Sequence, residues 1–369
     1  MTRSSFLLLL VASILFSMGL IMVFNTTSAE MIDRNMNVNI YFPLIKQFCY
    51  AILGVVICFG IWKIGYVRLL NLSPILLLGS IVLLVLVFVP FIGQEINGAK
   101  RWLGFSGYTF QPSEIVKYVI PLYFIYGVVQ KKGLLDFKTF FLIMIIITLP
   151  IGLILLEPDN GTTAFILATM VVLFLLTKIK WTFWALPLAC LTIVGGILAF
   201  NMPHVPDRIK VYLHPESDIR GKGHQPYQAK IAAGSGRLWG RGLGESLQKL
   251  NYLPEARSDY IAAIFAEEFG FVGISFLIGL YMVLSYAGFS IAFAAKDRAG
   301  FYLASIFTFV LVFQAFLNLG VVSGLLPSKG MTLPFFSQGG SSLVINMAAT
   351  AFLVNIAYFS KKQTYAKEA

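Results

Sequence analysis

Ten stretches of mostly apolar residues run through this chain, at residues 6–24, 43–61, 73–92, 112–130, 139–156, 161–177, 183–201, 260–293, 301–321 and 340–359. Crossing the hydrocarbon core of a bilayer takes roughly 20 such residues in a helix. Backbone polar groups find no water there, so spanning segments of this kind must satisfy them internally as helices. The pattern therefore predicts an all-α, polytopic integral membrane protein with ten transmembrane helices. Composition agrees, because 58% of the residues are hydrophobic and only 12% are charged. That balance is the reverse of what disorder requires. Three cysteines with no CxxC spacing suggest neither a disulfide scaffold nor a metal site.

Arg3 ahead of the first stretch resembles the start of a signal peptide. The apolar run is long for one, however, and more spans follow, so it reads as an uncleaved first helix. With the N-terminus inside, the short inner segments collect Arg3, Lys63, Arg68, Lys131, Lys132, Lys138, Lys178, Lys180, Lys296, Arg298, Lys361, Lys362 and Lys367. The short outer loops hold Arg34, Lys100, Arg101 and Lys329. Short cytoplasmic loops carry the excess of Lys and Arg, which puts both termini in the cytoplasm. The chain then reads as a single membrane domain, 1–369, with a large extracytoplasmic loop at 202–259 and a short cytoplasmic tail at 360–369.

The net charge of +11 is only partly explained by topology. The outer loop 202–259 carries Arg208, Lys210, Arg220, Lys222, Lys230, Arg237, Arg241, Lys249 and Arg257. Two readings are open: a solvated loop beside anionic headgroups, or a surface for an anionic partner such as a phosphate or diphosphate. In a membrane protein neither points to nucleic acid.

Ionisable side chains near or within a span are costly, so each is a functional candidate. Four places stand out. Gln111-Pro112-Ser113-Glu114 precedes Lys117, and Pro112 suits the first position of a helix. Glu114 and Lys117, spaced i,i+3, share a helix face. They read either as a structural ion pair or as the lining of a polar cavity. Glu157-Pro158-Asp159-Asn160 sits between two spans, where Asp159 or Asn160 caps the next helix or two carboxylates hold a cation. Pro254-Glu255-Ala256-Arg257-Ser258-Asp259 leads into Glu267-Glu268. If Pro254 opens a helix, Glu255 and Asp259 share a face, with Glu267 deeper on the same side. Asp259 there is partly desolvated, which suits a base. Its plainer reading is an N-terminal carboxylate favoured by the helix dipole. Lastly, the Pro- and Gly-rich run 324–342 brackets Lys329 and ends in Gly-Gly-Ser-Ser, with Ser341 and Ser342 opening the last helix.

Other motifs carry less. The glycine set at 234–244 lacks the strand and helix of a dinucleotide fingerprint and reads as flexible loop. Gly320 and Gly324 match GxxxG, a weak close-packing signal. His204, His214 and His224 are spaced too widely to suggest zinc.

Together these pieces resemble the SEDS family (shape, elongation, division and sporulation) of bacterial membrane proteins. The matching residues are Asn97 to Leu103, Gln111-Pro112-Ser113-Glu114 with Lys117, Pro158 to Thr162, Tyr227-Gln228, and Tyr252 to Asp259. Glu267-Glu268-Phe269-Gly270, Gly324 to Pro327, Thr332 to Phe335 and Gly339 to Ser342 complete them. The stretch around Gln248 to Ala256 looks more like the division branch (FtsW-like) than the elongation branch (RodA-like). Asn160, Arg257, Tyr260 and Ala263 depart from the common pattern.

The resemblance implies a peptidoglycan glycosyltransferase that polymerises lipid II at the outer face of the bacterial inner membrane. It implies Asp259 as the catalytic base. It further implies substrate contacts from Lys100, Arg101, Glu114, Lys117, Asp159, Gln228, Glu255, Ser258, Lys329, Ser341 and Ser342. A divalent cation, Mg or Mn, is expected from the resemblance only, since no full metal site is visible. The expected partners are a class B penicillin-binding transpeptidase and other divisome or elongasome proteins. Two rival readings use the same residues differently: a lipid II flippase, and a non-catalytic scaffold for the transpeptidase.

Overall fold

The computed structural model describes residues 2–33, 41–96, 98–105, 107–130, 135–200, 212, 221, 223–250, 253, 255–328 and 330–368. Its helices are α1 (Arg3–Asp33), α2 (Phe42–Ile64), α3 (Tyr66–Asn71), α4 (Ser73–Val87), α5 (Pro112–Gln130) and α6 (Phe137–Leu156). They continue as α7 (Asn160–Leu176), α8 (Trp181–Phe200), α9 (His224–Ser235), α10 (Ile261–Ala294), α11 (Arg298–Val322) and α12 (Gly340–Glu368). Each of the ten apolar stretches falls on one of these helices.

Among the described residues, six helices are long and apolar enough to cross a membrane: Arg3–Ser28, Phe42–Ile64, Phe137–Leu156, Ile261–Ala294, Arg298–Val322 and Gly340–Lys362. Shorter apolar helices lie at Ser73–Val87, Asn160–Leu176 and Trp181–Val194. Helix α5 is less apolar because it carries Glu114 and Lys117, both buried. Helix α12 packs along α2, α10 against α11 and α1, and α5 against α4 and α11. Outward faces stay apolar, as Phe48, Ile52, Val55, Val56 and Phe59 on α2 illustrate. Such a surface suits lipid, where exposed hydrocarbon costs nothing.

The fold is not purely helical. Residues 93–110 form a three-stranded antiparallel sheet, β1 (Gly93–Ile96), β2 (Ala99–Phe105) and β3 (Tyr108–Phe110), in the order β1-β2-β3. Glu95 faces Lys100 across the first pair. Lys46 on α2 donates to Gly107 O at 2.8 Å, and Tyr50 donates to Thr109 O at 2.8 Å, so the sheet is tied to α2.

Two further expectations change. Pro254 lies outside the described residues, but residues 255–260 form successive turns and α10 begins only at Ile261, so Glu255 and Asp259 share no helix face. Glu267 therefore does not extend an Asp259 face. Instead it accepts from Ser246 Oγ at 2.6 Å and from the backbone N–H groups of Leu247 and Gln248. Glu268 accepts from Asn25 Nδ2 at 2.6 Å and pairs with Lys249 Nζ at 2.9 Å.

The glycine-rich segment is likewise no free loop. Helix α10 breaks at Gly270, whose φ of 65° and ψ of −162° are open to glycine and strained for other residues. The break removes the helical bonds from Phe271 to Glu267 and from Val272 to Glu268. All four orphaned groups are satisfied by the loop. Phe271 N donates to Arg237 O at 2.8 Å and Val272 N to Leu238 O at 3.1 Å. Arg241 N and Gly242 N return bonds of 3.0 Å to the carbonyls of Glu267 and Glu268. Gly240 and Gly270 meet backbone to backbone, with no room for a Cβ on either.

Candidate functional site

Four helix N-termini meet at one end of the bundle. Helices α5, α7, α10 and α12 all begin beside a polar cavity of about 490 Å³. Its lining comes from β2 (Ala99, Arg101, Trp102), from Gln111 and Glu114, and from the turn Pro158 to Thr162. Gln225 of α9, the 255–260 turn, and residues 328–342 ahead of and into α12 complete it. A helix N-terminus carries about half a positive charge and free N–H groups. The charged side chains have the opposite balance. Glu114, Asp159, Glu255 and Asp259 line the cavity, and Arg101 is the cation among the described lining residues.

Asp159 caps α7, accepting from Thr162 N at 3.1 Å and Thr162 Oγ1 at 2.8 Å. The capping reading thus holds, and the same carboxylate faces the cavity. Gln111 Nε2 reaches it at 3.3 Å and an Arg101 nitrogen at 3.7 Å. The nearer partners of Arg101 are carbonyls: Nε donates to Glu157 O at 3.1 Å and Nη2 to Pro158 O at 2.5 Å. A planar fork of donors suits two acceptors on one turn. Behind this turn the Glu157 carboxyl has no exposure and no hydrogen-bond partner for either oxygen. Burial, reinforced by the Asp159 charge and opposed by Arg101, pushes it up to about 8.

Glu114 and Lys117 form the expected ion pair at 2.8 Å on α5. Lys117 also donates to Gln314 Oε1 on α11 at 2.9 Å and lies 5.4 Å from the centre of the Phe165 ring on α7. It stitches three helices from below the cavity floor and does not line the cavity. Glu114 does, and its second oxygen, Oε2, is buried without a partner. Both readings of this pair are realised, one by each residue.

Asp259 stands half-buried in the turn before α10, on the cavity wall. Among the described residues its carboxylate takes no hydrogen bond. Desolvation by burial, with a smaller push from the Glu255 charge, raises it to about 7. Glu255 and Ser258 line the same wall, joined by a 2.6 Å hydrogen bond. Opposite, Ser341 Oγ accepts from Gln111 N at 3.0 Å. Ser342 Oγ accepts from Thr332 Oγ1 at 2.8 Å and from Gln314 Nε2 at 3.3 Å.

The structure therefore brings Asp259, Arg101, Glu114, Asp159, Glu255, Ser258, Ser341 and Ser342 to one cavity. Lys100 is exposed on β2 and Gln228 lies on α9, both away from the lining. Lys329 lies outside the described residues. Trp102, Gln111, Gln225 and Gln338 line the cavity without having been singled out as site residues. Trp102 and Gln111 stood inside the motifs already quoted. Gln338 falls inside the run 324–342, and Gln225 is an uncharged amide at the start of α9 with no pattern to mark it.

A polytopic helical protein with a carboxylate-lined cavity at the convergence of helix N-termini is the class defined by this fold and site. The family described as cell cycle protein, grouping FtsW, RodA and SpoVE, matches residues 5–362. A probable peptidoglycan glycosyltransferase FtsW of Trichlorobacter lovleyi is 36% identical over 357 residues, covering 95% of this chain and 92% of that protein. Stage V sporulation protein E of Bacillus subtilis is 34% identical over 363 residues and covers 98% of each chain. Among solved structures, one described as structural coordination of polymerization and crosslinking by a peptidoglycan synthase complex aligns with a TM-score of 0.75. It shares 26% identity and covers 96% of this chain and 97% of the other. The rod shape determining protein RodA of Thermus thermophilus aligns with a TM-score of 0.68 at 25% identity, covering 95% of both chains. This chain belongs to the FtsW/RodA/SpoVE family, the SEDS proteins, and is a multi-pass membrane protein.

Proposed function

We propose that this protein is a peptidoglycan glycosyltransferase that polymerises lipid II in bacterial cell-wall synthesis, on the division side of its family. The observation that carries the reading is Asp259: a raised carboxylate, without a hydrogen bond among the described residues, on a polar cavity beside which four helices begin. Full-length similarity to proteins named peptidoglycan glycosyltransferase supports it. The ten-span topology with both termini cytoplasmic, the single membrane domain and the inner-membrane location belong to the same proposal. So does a class B penicillin-binding transpeptidase as partner.

In this reading Asp259 takes the proton from an acceptor sugar hydroxyl as the oxygen attacks the donor's anomeric carbon. The bond to the diphosphate breaks, and that group leaves with the electron pair. A positioned general base contributes roughly 10²–10⁴ in rate. The growing charge on the diphosphate is met by the helix N-termini and by Arg101. Glu114, Asp159, Glu255, Ser258, Ser341 and Ser342 orient the sugars and the peptide. Lys117 acts from behind the lining through Glu114, while Lys100 and Gln228 stand away from it.

Among the described residues no cluster of three His, Cys, Asp or Glu side chains is arranged to hold a metal ion. The described residues thus offer no preformed set of three such ligands for the divalent cation that the family resemblance implies. We place any such cation on the incoming diphosphate, where Mg²⁺ commonly sits.

Purified protein, with and without a transpeptidase partner, should convert lipid II to glycan chains, and Asp259→Ala should abolish this while remaining folded and partner-bound. Chains made by Asp259→Ala would remove the base assignment. Lipid transport that survives the substitution, without any polymer from wild type, would favour a flippase.

A further inference from the structure

Asp259 has no regular structure to hold it, since it lies in a run of turns and its carboxylate takes no hydrogen bond among the described residues. Its backbone is held instead. Asn318, on α11, donates from Nδ2 to Asp259 O at 2.8 Å. The same nitrogen donates to Met331 O at 2.7 Å. Asn318 is 2% exposed, and its Oδ1 is buried with no partner among the described residues.

The amide orientation follows from chemistry. Both acceptors are carbonyl oxygens and neither can donate, so the NH₂ group must face them. Both of its protons are then used, one on each strand. An amide that keeps this orientation leaves a buried acceptor unsatisfied, which is costly. The clamp accepts that cost.

The clamp has a local product. A methyl group on Gly330 would stand 3.1 Å from Asp259 Oδ2, so the carboxylate lies directly against the Gly330–Met331 strand. Gln338 N, bonded to Arg257 O at 3.0 Å, ties the same two segments a second time.

We infer that Asn318 is a positioning residue for Asp259, its amide fixing the approach of the 255–260 turn to the Gly330–Met331 strand and so the aim of the carboxylate into the cavity. This rests on Asp259 being the base. Asn318 itself is absent from the cavity lining and acts through the backbone it holds.

The test uses the full chain with its transpeptidase partner and measures kcat and KM for lipid II polymerisation. Asn318→Asp sets oxygen lone pairs against two carbonyls, and Asn318→Leu keeps the volume and deletes both donors. Each should lower kcat about 10–100-fold, the scale of a misaimed catalytic group, with KM within about twofold. Gly330→Ala reaches the same contact from the cavity side and leaves the Asn318 bonds intact. It should lower kcat if the aim of the carboxylate matters, and Asn318→Gln, which keeps both donors one methylene further out, should do the same and tests the amide itself if the other Asn318 variants unfold. Wild-type kcat in Gly330→Ala and in a folded Asn318 variant overturns the inference, as does a rise in KM at constant kcat. Asp259→Ala run alongside separates the two levels. Polymer from that variant sinks the base assignment, whereas a dead Asp259→Ala beside fully active Asn318 variants sinks only the positioning role.

Discussion

Glu255 and Asp259 share one turn of backbone on the cavity wall, and the charge of the first helps to hold a proton on the second. Burial is the larger cause, and it raises Asp259 to about 7. A base must be deprotonated to act, so activity should climb as pH rises through about 7. Glu255→Gln removes the neighbouring charge and should move that rise to lower pH, leaving more activity at pH 6 relative to the plateau. A pH–rate profile whose midpoint is unmoved in Glu255→Gln would count against the coupling. Stability runs the other way. A folded-state value above the ordinary carboxylate range means that Asp259 favours the folded state at low pH and loses that contribution as pH rises through about 7.

Glu157 makes a prediction of the same sign at higher pH. Its carboxyl is raised to about 8, so it is mostly neutral at pH 7. Glu157→Gln, a neutral isostere, should be more stable than wild type at pH 7, because only the wild-type unfolded state gains by ionising there. Wild type should lose stability as pH rises through about 8, and the variant should not. Parallel losses in both proteins would mean that Glu157 is not the group whose titration drives the loss.

The Lys249–Glu268 pair fastens the glycine-rich loop, with side chains 5% and 0% exposed. Removing one partner of a buried pair costs about 3–5 kcal/mol, because the other charge is left stranded. Glu268→Ala should therefore destabilise strongly in thermal or denaturant unfolding. Replacing both, as Lys249→Met with Glu268→Leu, should recover much of the loss. Additive losses in the double variant would show that the pair is not coupled.

Arg101 is a test of geometry rather than charge. Its Nε and Nη2 serve two successive carbonyls, a reach that an ammonium does not reproduce. Arg101→Lys should resemble Arg101→Ala, with faster hydrogen exchange at residues 157–162 and reduced polymerisation. Full activity in Arg101→Lys would show that only the positive charge matters.

The membrane architecture was legible because hydropathy is a long-range signal: each apolar stretch landed on a helix, and Gly340 opens the last one as the Gly-Gly-Ser-Ser run suggested. The cavity was legible wherever a charge stood at a span mouth, as with Glu114, Asp159 and Asp259. Direction was harder. Glu267 and Glu268 were visible as buried acids, but the turns at 255–260 rotate α10, so they face the loop instead of the cavity. The small sheet at 93–110 was missed because its strands are too short for a period to register. The docking of the glycine segment was missed because it is made by backbone groups, which leave no side-chain pattern to read. The clamp at Asn318 hides for a related reason, since a lone amide inside an apolar helix announces neither acceptor.

The seam at Gly270 also sets an order of assembly. Residues 237–242 leave the ribosome about thirty residues before the N–H and carbonyl groups they bind on α10. At 5–20 residues per second that is a wait of a few seconds. During it the glycine segment has no template, and α10 enters the bilayer with two of its rungs open. Residues 237–242 and helix α10 must therefore complete each other's backbone hydrogen bonds together.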